Sequence, residues 1–244
     1  MGFKKPICVA ALLSLLFFSC DEDAQIPPSS DLDYFPLQTG LYWVYEVEET
    51  TNLQGTENSE VYELEYKITD SIPGSDKLAV FIITRSIRGN PADAWTILDT
   101  WSSRANSIEG IMQEGNIDFV KMSFPLSKGK SWDGNAYNTF GGSESCGSEE
   151  YACDLYSITA YATPYTATTS SGSEIYTDAI VIEQSNITDL IVAQDIRTEV
   201  YARNVGLIYK ESVQIEYCTV GSCLGQQVVD KGSWYYQRLI DYGC

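Results

Sequence analysis

The sequence predicts an all-β, mainly antiparallel protein: a curved sheet, or an open or closed β-barrel, built from two similar halves. Three observations carry this. Apolar residues recur with a period of two over many short segments, the signature of half-buried strands. Aromatics are abundant, with 17 Tyr, 8 Phe and 5 Trp, and they suit a pleated surface. A nine-residue phrase is also written twice: FPLQTGLYW, residues 35–43, returns as FPLSKGKSW, residues 124–132. Phe35, Pro36, Gly40 and Trp43 stand where Phe124, Pro125, Gly129 and Trp132 stand in the second copy.

Each copy reads as a corner that starts a run of strands. Pro fixes φ and lacks a donor, so it belongs at a strand's start rather than its middle. Gly permits a turn that a side chain would oppose. The Phe and Trp on either side of the turn then share a core. This divides a single β domain, residues 34–244, into halves of about 34–123 and 124–244. A competing reading makes both Trp residues a ligand platform, but large aromatics beside Gly turns are mostly core.

The strands follow in order. In LYWVYEVEE (41–49), Leu41, Trp43, Tyr45 and Val47 share one face. In VYELEYKIT (61–69), Tyr62, Leu64, Tyr66 and Ile68 point inward while Glu63, Glu65 and Lys67 meet water. Pro73-Gly74 turns the chain, and KLAVFIITR (77–85) is a more buried strand. WTILDTWSS and NIDFVKMSF are shorter ones, with a turn at Glu114-Gly115. A polar stretch, 141–151, separates the second corner from DLYSITAYA, EIYTDAIVIEQ, TEVYARNV, GLIYKESVQIEYC and SWYYQRLID. NITDLIVAQD (186–195) fits a helix or a pair of strands equally.

The first residues are of another kind. Lys4 and Lys5 precede an apolar run from Ile7 to Phe18. As a helix it would reach roughly 18 Å, too short for a ~30 Å hydrocarbon core, so residues 1–19 are expected to be a signal peptide. Phe17-Phe18-Ser19-Cys20 resembles a bacterial lipobox, with Phe17 in place of the usual Leu. The resemblance implies that Cys20 becomes the acylated first residue. Two or three acyl chains, at ~0.8 kcal/mol per buried CH2, give a stable membrane anchor. Residues 20–33 then form the lipidated Cys and an acidic, disordered linker. Asp21-Glu22-Asp23 resembles the surface-export signal of Bacteroidota lipoproteins. That implies an outer-membrane lipoprotein exposed at the cell surface, with a periplasm-facing orientation as the alternative.

The internal landmarks carry a further resemblance. YFPLQTGLYWVYEV, FPLSKGKSWDGN and YARNVGLIYKE (201–211) together resemble a type of Bacteroidota cell-envelope lipoprotein with a "YFPLxxGxxWxY" start after the lipobox. The resemblance implies an open or closed β-barrel, distantly like the half-barrel carriers that shuttle acyl chains across the envelope. It brings no catalytic residues to transfer.

Composition limits the chemistry. The net charge is −19, and −21 once a signal carrying Lys4 and Lys5 is removed. A surface this acidic repels phosphate backbones, which excludes nucleic acid as a partner. No His is present, which rules out a Ser–His–Asp triad, a Cys–His pair and the commonest metal ligand. No phosphate- or dinucleotide-binding motif occurs, and Asp133-Gly134-Asn135 falls short of a calcium loop. No cofactor or metal is expected. Of the seven Cys, Cys8 leaves with the signal and Cys20 takes lipid. An oxidising compartment would pair the rest: Cys146 with Cys153 and Cys218 with Cys223, Cys244 being able to displace either member of the second pair.

Three functions fit. The first is a non-catalytic envelope lipoprotein whose barrel binds an apolar small molecule or an envelope partner, with Tyr42, Trp101 and Tyr235 as contact residues. The second is a glycan-binding accessory lipoprotein that uses exposed aromatics. The third is a hydrolase built on a carboxylate pair. Nothing in the sequence fixes an oligomeric state.

Overall fold

The computed structural model describes residues 31–74, 78–139 and 155–244. Residues 1–30, with Cys20, lie outside this set, as do Cys146 and Cys153. The described residues form twelve antiparallel strands in one sheet. They are β1 (Tyr42–Leu53), β2 (Thr56–Pro73), β3 (Ala79–Arg88), β4 (Thr96–Ala105), β5 (Glu109–Glu114) and β6 (Ile117–Ser123), then β7 (Ser131–Asp133), β8 (Leu155–Thr169), β9 (Gly172–Asp189), β10 (Ala193–Ala202), β11 (Gly206–Tyr217) and β12 (Val229–Gly243). The ambiguous 186–195 segment is a strand pair. Asp189 makes its turn, accepting from the Ile191 amide (2.9 Å).

The sheet order is β6-β5-β4-β3-β2-β1-β12-β11-β10-β9-β8-β7. Each half is thus a six-stranded meander, and the expected pair of similar halves is present. The halves join along the whole of β1, from Tyr42 opposite Gly243 to Leu53 opposite Lys231. The two outer strands, β6 and β7, also meet. The Val120 amide donates to the Gly134 carbonyl (2.9 Å), the Trp132 indole to the Val120 carbonyl (2.7 Å), and the Asn138 side chain to the Asp118 carbonyl (2.7 Å). The sheet therefore curls into a nearly closed barrel with two unlike seams. One is a full ladder; the other is shut largely by side chains.

The repeated phrase is the start of each half, and its two copies make the same bonds. The Gly40 amide donates to the Ile68 carbonyl (2.9 Å), and the Ile68 amide to the Leu41 carbonyl (2.8 Å). In the second copy Gly129 donates to Ile158 (2.8 Å) and Ile158 to Lys130 (2.9 Å). Gly40 and Gly129 take φ of 102° and 82°, a region closed to most side chains. Phe35, Trp43, Phe124 and Trp132 are all buried. Each indole N–H caps a carbonyl remote in sequence, Trp43 on Val205 (2.6 Å) and Trp132 on Val120 across the β6–β7 seam (2.7 Å). The corners are architecture, and the Trp residues are core.

One boundary moves. Asp31, Leu32 and Asp33, assigned to the linker from sequence, belong to the domain as a single 3-10 turn, Asp31–Tyr34. Their charges have partners a disordered tether would lack. The Asp31 carboxylate accepts from the Leu126 amide (2.7 Å) and the Tyr161 hydroxyl (3.2 Å). Arg203 pairs with Asp33 (3.3 Å) and Asp178 (2.6 Å) and lies over the Tyr34 ring, whose hydroxyl donates to Asp178. This clasp fixes where the chain leaves the barrel: at the rim that carries both corners.

Two outcomes follow for the weaker seam and the corners. Gly134→Ala would place a Cβ 2.3 Å from the Tyr156 ring, so the turn must shift. Hydrogen exchange should show the Val120 amide opening faster, with a loss of about 1–3 kcal/mol in urea unfolding. Trp43→Phe and Trp132→Phe should each cost about 1–3 kcal/mol, because each leaves a buried carbonyl without its donor.

Candidate functional site

Four charged side chains meet inside the barrel: Glu114 at the end of β5, Lys121 on β6, Glu199 on β10 and Lys210 on β11. In the sheet order β5 and β6 stand far from β10 and β11, so these contacts cross the interior. Lys121 Nζ lies 2.7 Å from Glu114 and 2.8 Å from Glu199. Lys210 Nζ lies 3.6 Å from Glu114 and 3.5 Å from Glu199. Cation and anion alternate around a closed ring of zero net charge. The Tyr201 hydroxyl donates to the remaining Glu199 oxygen (2.7 Å). The side chains of Lys121 and Glu199 are 5% and 2% exposed, those of Glu114 and Lys210 each 20%, so the ring is driest on the Lys121–Glu199 side.

The ring forms one wall of a cavity of about 60 Å³. Trp43, Tyr45, Tyr66, Trp101 and Met112 supply much of the rest. At roughly 30 Å³ per water, the space holds about two waters. Ligand pockets run to about 300–1,000 Å³. This cavity falls below that range, and a second space of about 440 Å³ adjoins it at Phe35, Pro36 and Leu37.

The electrostatics set the protonation. Burial alone pushes the Glu199 carboxyl up; Lys121 and Lys210, with the hydrogen bonds from Lys121 and Tyr201, outweigh it and take it down to about 2. Glu114 is lowered too, with burial opposed by the same two ammonium groups. Burial disfavours the Lys121 cation, yet Glu114 and Glu199 together raise it well above the ordinary lysine range. Burial and the Glu199 charge raise Tyr201. Glu114, Lys121 and Glu199 are therefore ionised at neutral pH, and Lys210 completes the ring of contacts. A glycosidase needs one carboxyl raised to act as the acid, and here both are lowered. Lys121, raised and ion-paired, is not a free amine nucleophile.

The contact residues expected from sequence do not come together. Trp101 lines the cavity, with the Arg85 guanidinium 3.8 Å from its ring centre. Tyr235 is half-buried against the core, its hydroxyl donating to Gln237 (2.7 Å). Tyr42 bonds Asp241 (3.4 Å) and covers Gly243. They form no shared platform. Cys218 and Cys223 are disulfide-bonded, and Cys244 is a free, exposed thiol beside Gly40. The charge ring itself escaped the sequence reading. Its signal is local: Lys121 sits between Val120 and Met122, and Glu199 beside Val200, Tyr201 and Ala202, all buried. A strand buried on both faces leaves a charge no water, so it must find a partner within the barrel.

No family model and no curated protein matches the sequence. Two crystal structures match. One is a protein described as exported, with a YmcC-like fold, from Bacteroides fragilis: 14% identity, 86% of this chain and 98% of that one covered, TM-score 0.38. The other is described as a lipoprotein from Parabacteroides distasonis: 14% identity, the same shares covered, TM-score 0.36. The barrel described above rests on its own topology.

The ring makes stability depend on pH at both ends. Glu199 is held below an ordinary carboxyl (~4.3), so its contribution is complete above that value and is lost as pH falls towards about 2. Lys121 is held above ~10.4, so its contribution is complete below that value and is lost as pH rises through its folded value. Glu199→Gln should flatten the acid limb of unfolding midpoint against pH. Lys121→Met leaves Glu114 and Glu199 with Lys210 as their one shared cation and should cost about 3–5 kcal/mol. The double change Lys121→Met/Glu199→Leu, which leaves Glu114 with Lys210, should recover most of that.

Proposed function

We propose that this protein is a non-catalytic cell-envelope lipoprotein, anchored through Cys20, that works through the outside of its barrel. One observation carries the reading. The four charged side chains that line the interior cavity are paired with one another, which leaves no unpaired carboxyl or amine there. The small cavity favours a surface role over cargo carriage. The clasp at Asp31–Tyr34 fits a tether, because it fixes the chain's exit at one rim. The lipobox-like Phe17-Phe18-Ser19-Cys20 and the acidic residues after it support an outer-membrane location facing the cell surface.

The test has two parts. Cells fed labelled palmitate should label the wild-type protein and not Cys20→Ala; equal labelling of both removes the anchor. Native mass spectrometry of the full chain, released in mild detergent, should give the mass of the polypeptide and its acyl groups alone. Extra mass that vanishes on denaturation would make the interior a ligand site and overturn the surface reading.

A further inference from the structure

The far rim, opposite the corners, carries a sheet edge left unfinished. β4 is laddered to β3 from Thr96 opposite Ile87 to Ser103 opposite Phe81. On its other side β5 covers only Ser102–Ala105. Thr96–Trp101 is therefore paired on one side, and its outward N–H and C=O groups have no strand partner among the described residues. Proteins blunt such edges with Lys, Pro or inward charges. This edge reads Thr-Ile-Leu-Asp-Thr-Trp, without Lys or Pro, and its one acid, Asp99, is paired with Arg85 of β3 (2.9 Å). Ile97 is 70% exposed and Leu98 50%. The register shifts between Arg85 and Ser86 and leaves Leu98 without a register partner, and such a bulge re-aims side chains.

Leu98 also walls a groove with Val61, Ile87, Tyr62, Arg88, Glu49 and Glu60; the Arg88 charge is taken up by Glu63 (2.5 Å), which leaves the two acids in excess. These two acids face each other directly across β1 and β2. They have hydrogen bonds, Tyr62 to Glu49 (3.1 Å) and Asn58 to Glu60 (3.3 Å), and no ion pair among the described residues. Like charges placed opposite each other repel. The local field is negative, as is the chain's at −19.

We propose that the Thr96–Trp101 edge accepts an extended, basic segment of a partner protein as an added strand. Directional main-chain groups specify a strand rather than a helix or a flat surface. Ile97 and Leu98 specify apolar side chains at alternate positions of that strand. The charge specifies Lys or Arg at the others, and it disfavours a second copy of this acidic chain. The proposal rests on the surface-acting part of the function proposed above and not on the anchor, so the experiment does not involve Cys20.

The probe is a synthetic octapeptide alternating Val or Ile with Lys, titrated into the full chain in mild detergent at low salt. Amide exchange is read along β4. The expected result is saturable slowing of exchange at 96–101, weakened by salt. It should be absent with Glu in place of Lys, absent with Pro at the central positions, and at least about tenfold weaker for Ile97→Lys. Ile97 is exposed, so that variant should keep the wild-type thermal midpoint; if it does not, Leu98→Ser replaces it in the same measurement. No slowing at about 1 mM peptide, or slowing unchanged by the edge variant or by Pro, overturns the proposal. Concentration-dependent self-association abolished by Ile97→Lys also overturns it, because the occupant would then be a second copy.

Discussion

The barrel depends on a bargain between burial and charge at its centre. Two ammonium and two carboxylate groups are taken out of water, which costs several kcal/mol for each ion. The alternating contacts of Glu114, Lys121, Glu199 and Lys210, with the Tyr201 hydroxyl on Glu199, offset that cost. Hydrophobic packing would tolerate many relative placements of the two half-sheets, since it is not directional. Four alternating charges tolerate few. The ring thereby fixes how β5 and β6 sit against β10 and β11, and it holds β6 inward at the seam that has no ladder.

The repeat gives the ring a rationale. Glu114 closes Gly110-Ile111-Met112-Gln113-Glu114 on the fifth strand of the first half. Lys210 closes Gly206-Leu207-Ile208-Tyr209-Lys210 on the fifth strand of the second. Corresponding positions of the two halves thus face each other across the interior, 3.6 Å apart. Identical charges there would repel. Glu on one side and Lys on the other turns a clash into a contact. The same divergence separates the seams: β1 is a long strand that ladders fully with β12, while its counterpart β7 is three residues long and relies on Trp132 and Asn138 to reach β6.

Much of this frame was legible in the sequence. Period-two alternation located β1 and β2, and the doubled F-P-L-x-x-G-x-x-W located both corners, because backbone geometry demands Pro and Gly there. A second echo went unread. Tyr66-Lys67-Ile68-Thr69 and Tyr156-Ser157-Ile158-Thr159 sit on the second strand of each half, and Ile68 and Ile158 receive the corner bonds. Asp31 and Asp33 looked like tether because their partners, Leu126, Tyr161 and Arg203, are remote in sequence. Glu114, Lys121, Glu199 and Lys210 were hidden for the same reason. Alternation says which face a residue takes, not what waits on the other side of the barrel.

The full ladder joins the first strand of the domain to the last. Pairing Tyr42 with Gly243 brings together residues separated by nearly the whole domain, and contacts of that sequence range form slowly. During synthesis β1 can pair with β2 as soon as the hairpin emerges. Its other edge has no partner until β12 has been made. Until then the growing chain holds a long, aromatic-rich strand with one side open, and its risk of aggregation is set by how long that edge must wait.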